Sequence, residues 1–175
     1  SVNPMKNKNV RLIVRTAVML ALLVVLLAAT KAAGQFVTGS CVNAVLAVSA
    51  WMCGVWGALA VAVLSPFAAF LLGVGPQLIA VVPVIAVGNA VYVLILSRAR
   101  APKGRLIASP IAAVAKFLTL YLLVVKLLCS VLPLSQKQII MFSTMFSWPQ
   151  LVTALIGAAA ALLIVPVLKK ALREA

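Results

Sequence analysis

Long apolar stretches alternate with short polar ones along the whole chain. The first, within "VRLIVRTAVMLALLVVLLAATKAAGQ", runs from about Val10 to Ala33 and exceeds the roughly 18 residues that mark a membrane-spanning helix. Five more follow: Phe36 to Met52; Val55 to Leu72, with Pro66 inside it; Gln77 to Leu96, interrupted by Pro83 and Gly88; Leu106 to Leu132; and Pro149 to Val167. At about 20 residues per span, 175 residues hold six spans with short connections and leave nothing for a second domain. The pattern predicts an all-α integral membrane protein, a single six-transmembrane-helix bundle over residues 5–175. Residues 1–4 (Ser1-Val2-Asn3-Pro4) precede Met5-Lys6-Asn7-Lys8, which reads as a native start, so those four are expected to be an expression remnant. The first apolar run is read as a true span and not a signal peptide, since it is long and no cleavage site precedes a soluble domain.

Composition agrees: 66% of residues are hydrophobic, 9% are charged, and mean hydropathy is +1.26. The charge itself changes the picture. Fifteen Lys and Arg face a single acid, Glu174, and there is no His. In a soluble protein a charge of +14 would point to nucleic acid. Here the cations cluster between apolar runs, as membrane topology requires, and no nucleic-acid partner is expected. Lys6, Lys8, Arg11 and Arg15 precede the first span; Arg98, Arg100, Lys103 and Arg105 separate the fourth from the fifth; Lys169, Lys170 and Arg173 follow the sixth. Six spans put these eleven on one side and leave Lys31, Lys126 and Lys137 on the other, so both termini are expected to be cytoplasmic. Trp51 and Trp56 flank a tight turn on that side and suit the membrane interface.

The inventory excludes most chemistry. Without His or an intramembrane acid, general acid–base and activated-nucleophile schemes lack their parts. The same shortage argues against ion coupling and divalent-metal binding, which use buried carboxylates. Cys41, Cys53 and Cys129 have no CxxC spacing and read as small packing residues; neither metal nor cofactor is expected. "GVGPQ" is not a phosphate-binding loop, because GxxxxGK(S/T) is absent, so the chain is not expected to hydrolyse ATP by itself.

Polar residues inside spans are the informative remainder, because each is costly in hydrocarbon and tends to face a cavity or another helix. On the fifth span Lys116, Thr119, Lys126 and Ser130 share a roughly 100° sector at 3.6 residues per turn, which puts Lys126 near the outer surface, either snorkelling or facing a pocket. Gln150, Thr153 and Gly157 line one stripe of the sixth, and Thr38, Ser40 and Asn43 open the second. Their concentration at the outer ends predicts a pocket opening outward. Asn89 and Tyr92 lie deeper and fit it less well. "PLSQKQIIMFSTMFSWPQ" (Pro133 to Gln150) reads either as a cover over the bundle mouth or as a plain interfacial loop. With lysines and amides but no acid, a neutral or anionic ligand is favoured over a cation. Phe36, Tyr121, Phe142, Phe146 and Trp148 would suit a flat heterocycle.

In "AVMLA", Ala17 and Ala21 lie four apart on one helix face and leave a shallow notch between larger neighbours. With this pair, the six spans, the basic balance, "TGSCVNAVL" and "GVWGALAVAVLSPFAAFLLGVGP", the chain from Met5 onward resembles a substrate-binding S component of an energy-coupling factor (ECF) transporter. The resemblance implies a multi-pass subunit of a bacterial-type cell membrane that binds a vitamin or related micronutrient near the outer surface. It implies that Ala17 and Ala21 dock against a transmembrane T subunit associated with two cytoplasmic ATPases. It also implies that the loop from Lys31 to Phe36 and the segment before the last span close over the ligand. Lys31, Gln35, Asn43, Lys126, Trp148, Gln150 and Thr153 are the candidate ligand contacts. Two rivals remain: a small secondary carrier, for which no inverted repeat is found, and a structural or assembly subunit whose polar residues only hold helices together.

Overall fold

Six helices long and apolar enough to cross a membrane make up the computed structural model, which describes residues 4–173, with side chains from residue 7. Residues 1–3 of the expected remnant, and Glu174, lie outside the described residues. Helix α1 (Pro4–Thr30) passes through a short 3-10 turn (Lys31–Ala33) into α2 (Gln35–Met52), and a single residue separates α2 from α3 (Gly54–Leu71). A loop and a second 3-10 turn (Ile79–Val81) lead to α4 (Val82–Ser97). Helix α5 (Pro102–Leu120) widens into π-helical geometry (Tyr121–Leu128) and closes with a last turn (Cys129–Val131). A short helix α6 (Gln136–Met145) then precedes α7 (Trp148–Ala171).

Local sequence explains most ends. Pro83 sits in the first turn of α4, where its missing N–H costs nothing, so it starts that helix and does not interrupt it. Pro149 does the same for α7. Helix α6 is set by a capping box: the Ser135 hydroxyl accepts from the Gln138 N–H while the Gln138 side chain accepts from the Ser135 N–H. The segment before the last span is therefore a helix, with Phe142 and Phe146 turned inward and buried against Val81, Leu120 and Val124.

Apolar side chains gain little by leaving lipid for protein, so the bundle is held by close packing at small residues. Ala47 and Ala50 of α2 and Ala154, Ala158 and Ala161 of α7 are fully or almost fully buried in one core. At Gly157 a Cβ would come within 2.5 Å of the Asn43 Cβ and 2.6 Å of the Ala44 backbone nitrogen, so only glycine allows α7 to meet α2 there. Gly157→Ala should destabilise the protein by about 1–3 kcal/mol through overpacking. A clear fall in Tm would show this, and an unchanged Tm would mean that the helices do not approach so closely.

Proline also shapes the interior. Pro66 in α3 cannot donate to the Ala62 carbonyl one turn back. The vacancy is shared by Ser65, whose hydroxyl donates to Ala62 O at 3.1 Å, and by Asn89 of α4, whose Nδ2 donates to Ala62 O at 3.2 Å and to Ser65 Oγ at 3.0 Å. Trp51 was expected at the interface; it is buried in the end of the bundle, donating from Nε1 to Leu96 O at 2.8 Å, whereas Trp56 is exposed. Cys53, in the turn between α2 and α3, is buried, and burial pushes its thiol pKa up, as suits an inert packing residue.

Candidate functional site

At the end of the bundle away from the termini, all of the first five helices and the α6–α7 corner border a cavity of about 260 Å³. Leu27, Pro66, Val82 and Ile85 give it apolar walls, while Asn43, Asn89 and Lys116 bring polar groups to its lining. These three side chains are almost fully buried. Such a lining, apolar with a few convergent polar groups, is that of a small-molecule site.

The polar groups form one connected base. Lys116 Nζ of α5 donates to Asn43 Oδ1 of α2 at 2.5 Å, and Asn43 Nδ2 donates to Thr153 Oγ1 of α7 at 3.3 Å. Lys116 Nζ also lies 5.4 Å from the Tyr92 ring centroid, a cation–π position, and the Tyr92 hydroxyl is anchored on Ala154 O at 2.8 Å. Three helices and a buried tyrosine thus fix the ammonium. Among the described residues there is no acidic side chain to balance it. Close by, the Asn89 side chain makes its two hydrogen bonds through its nitrogen, leaving Oδ1 buried and without a partner. A donor and an acceptor therefore line one cavity in a low-dielectric setting, where unmet hydrogen bonds are costly.

Hydrogen bonds to the ends of neighbouring elements draw the mouth together. Gln35 Nε2 and Gln150 Nε2 both donate to Met145 O, at 2.7 and 3.2 Å, tying the starts of α2 and α7 to the end of α6. Lys31 Nζ donates to Leu72 O at 3.0 Å, joining the α1–α2 turn to the end of α3. Met145 and Phe146 line the cavity from the α6 side.

The candidate residues divide cleanly. Lys31, Gln35, Asn43 and Gln150 line the cavity. Thr153 stands behind Asn43 and holds its amide. Trp148 lies outside the lining, exposed, with its ring centroid 5.6 Å from that of Phe36. Lys126 also lies outside, exposed, with Nζ 5.5 Å from the Tyr121 ring. The physical reason is the π-helical stretch, whose wider turns break the 3.6-residue register that related Lys126 to Lys116. Asn89, which from its depth was expected to fit the pocket less well, is part of the lining. Lys116 was one member of a polar stripe, and no signal along the chain singled it out from its neighbours.

Ala17 and Ala21 are exposed on the outer side of α1, whose inward face is made by Met19, Leu23 and Leu27. Residues 11–169 match a protein-family model described as ECF transporter, substrate-specific component. No curated protein and no solved structure matches the chain.

Proposed function

Since the chain belongs to the substrate-specific components of ECF transporters, we propose that it captures a vitamin or related micronutrient, neutral or anionic, in the cavity between α1–α5 and the α6–α7 corner. Membership makes it a multi-pass cell-membrane subunit that confers substrate specificity, is not itself an enzyme, and works with a T subunit and ATPases. In the finer reading, both termini are cytoplasmic, the cavity opens outward, and α1 docks on the T subunit through Ala17 and Ala21. The observation that carries the ligand reading is the Lys116–Asn43 base at the cavity floor, in a bundle without one acidic side chain among its described residues. The Lys116 ammonium, with the second N–H of the Asn43 amide, can receive a carboxylate, phosphate or carbonyl, whereas a buried cationic ligand would find nothing to neutralise it. The Asn89 Oδ1 atom adds a requirement for an N–H or O–H on the same ligand. Gln35 and Gln150, held on the Met145 carbonyl, form the closure that would open for entry.

The test is to purify the protein from rich medium, denature it and identify the released molecule by mass spectrometry. A small neutral or acidic compound bearing a hydrogen-bond donor is expected, close to one per protein molecule. Release of a cation would reject the electrostatic reading, and absence of any ligand across several media would reject the binding role.

A further inference from the structure

At the opposite end of the bundle, the α2–α3 turn, the α4–α5 connection and the last turns of α7 surround an open bowl of about 790 Å³. Four cations line it: Arg98, Arg100, Arg105 and Lys169. Much of the remaining wall is apolar, with Trp51, Val55 and Leu94. Arg98 and Arg100 stand exposed on the rim, and the general preference for cations at one membrane face is enough to explain them. Arg105 is different. Only 7% of it is exposed, and its Nε is buried with no hydrogen-bond partner. Its guanidinium lies 5.5 Å from the Trp51 ring centroid, and that ring is itself fixed by the bond to Leu96 O. The side chain is thus stacked and pre-oriented, with a donor unspent, although membrane topology would be served equally by a solvated arginine. Among the described residues no carboxylate exists that could meet it.

We propose that this bowl binds the phosphate of an anionic phospholipid, with Arg105 at its base and Arg98, Arg100 and Lys169 around the headgroup. A planar guanidinium matches two phosphate oxygens at once, which is the usual reason for arginine at such a site. Basic pockets between transmembrane helices at the interface are suited to lipid headgroups. The apolar wall of Val55, Leu94 and Trp51 favours an amphiphile over a free anion, because it offers acyl or glycerol carbons an apolar surface beside the cations. The site is separate from the ligand cavity and stands whether or not the micronutrient reading holds.

The test uses the full chain in a neutral detergent, titrated with phosphatidylglycerol or phosphatidylcholine of matched acyl chains, with bound lipid counted by native mass spectrometry. Phosphatidylglycerol should be retained at least about fivefold more strongly, in line with the contribution of one cation near a lipid surface. Arg105→Gln should bring the two lipids close to parity. The rim variant Arg98→Gln/Arg100→Gln, which disturbs no buried contact, should reduce the preference and keeps the test decisive if Arg105→Gln folds poorly. Lys137→Gln, on α6 at the other end, should leave it unchanged. Equal retention of both lipids by the unaltered chain, an unaffected rim variant, or equal loss in Lys137→Gln would overturn the proposal. Displacement of the lipid by millimolar inorganic phosphate would also overturn it, since the site would then hold a small anion with no use for the apolar wall.

Discussion

Lys116→Met should strip the purified subunit of most of its ligand while leaving a folded six-span bundle. The side chain is 3% exposed, donates to Asn43 Oδ1, and sits over the Tyr92 ring. Methionine keeps the length and most of the volume, so the bundle does not acquire a cavity. It removes the Lys116 ammonium from the cavity base, and a hydrogen bond to a charged group contributes about 1.5–3 kcal/mol. Ligand affinity should therefore fall by roughly 10- to 100-fold, seen as lost ligand per protein molecule on denaturation and as loss of the thermal shift on adding the ligand back. Asn43 is left with an unmet acceptor, so a modest drop in ligand-free Tm is expected too. Lys126→Met is the matching comparison: this lysine is exposed outside the cavity lining, and its replacement should leave the ligand load unchanged. A full load in Lys116→Met, or a loss in Lys126→Met equal to that in Lys116→Met, would place the anion-binding group elsewhere.

The contrast between those two lysines shows where sequence reasoning ends. Span number followed from apolar length alone, because a helix must satisfy its own backbone in lipid and needs a fixed number of residues to cross. Four of the polar lining residues were readable in the same way: Asn43 and Gln150 are amides within or at the start of apolar runs, and Lys31 and Gln35 lie between two such runs. Lys126 and Lys116 shared a face only while the helix kept one period. The π-helical residues Tyr121–Leu128 change that period, and nothing in "YLLVVKLL" announces it. Asn89 failed for a different reason. The chain shows Pro66 and hence a freed carbonyl at Ala62, which the neighbouring Ser65 meets from the same helix, but the Asn89 amide that joins it comes from another helix, a fact of tertiary structure. Trp51 looked like an interface residue because its composition context was right; the Leu96 carbonyl and Arg105 that draw it inward are about fifty residues away. The α6 helix was half visible: Ser135 and Gln138 have capping-box spacing, yet the inward turn of Phe142 and Phe146 depends on the groove they fill.

Ala17→Trp with Ala21→Trp should reduce uptake to background while ligand binding stays within a few fold of the unaltered protein. Binding should survive because both alanines are exposed, on the side of α1 opposite Met19, Leu23 and Leu27, and neither lines the cavity. An indole placed there meets only lipid in the isolated subunit, at little cost to stability. Uptake should fail because helices in a bilayer associate through close backbone approach at small residues, and two indole rings hold a partner helix away. A bare apolar face alone would not demand this outcome, since α1 also exposes Ile13, Val14, Val18 and Leu22. The alanine pair differs from these in being the low point of that face. Val63→Trp, a change on the exposed face of α3, therefore supplies the comparison and should leave uptake nearly intact. The two measurements, uptake in cells expressing the whole transporter and ligand retained by the purified subunit, separate docking from capture. Normal uptake by a correctly inserted double variant would mean that the partner meets another surface, and parallel loss of ligand would mean that α1 shapes the cavity as well as the contact.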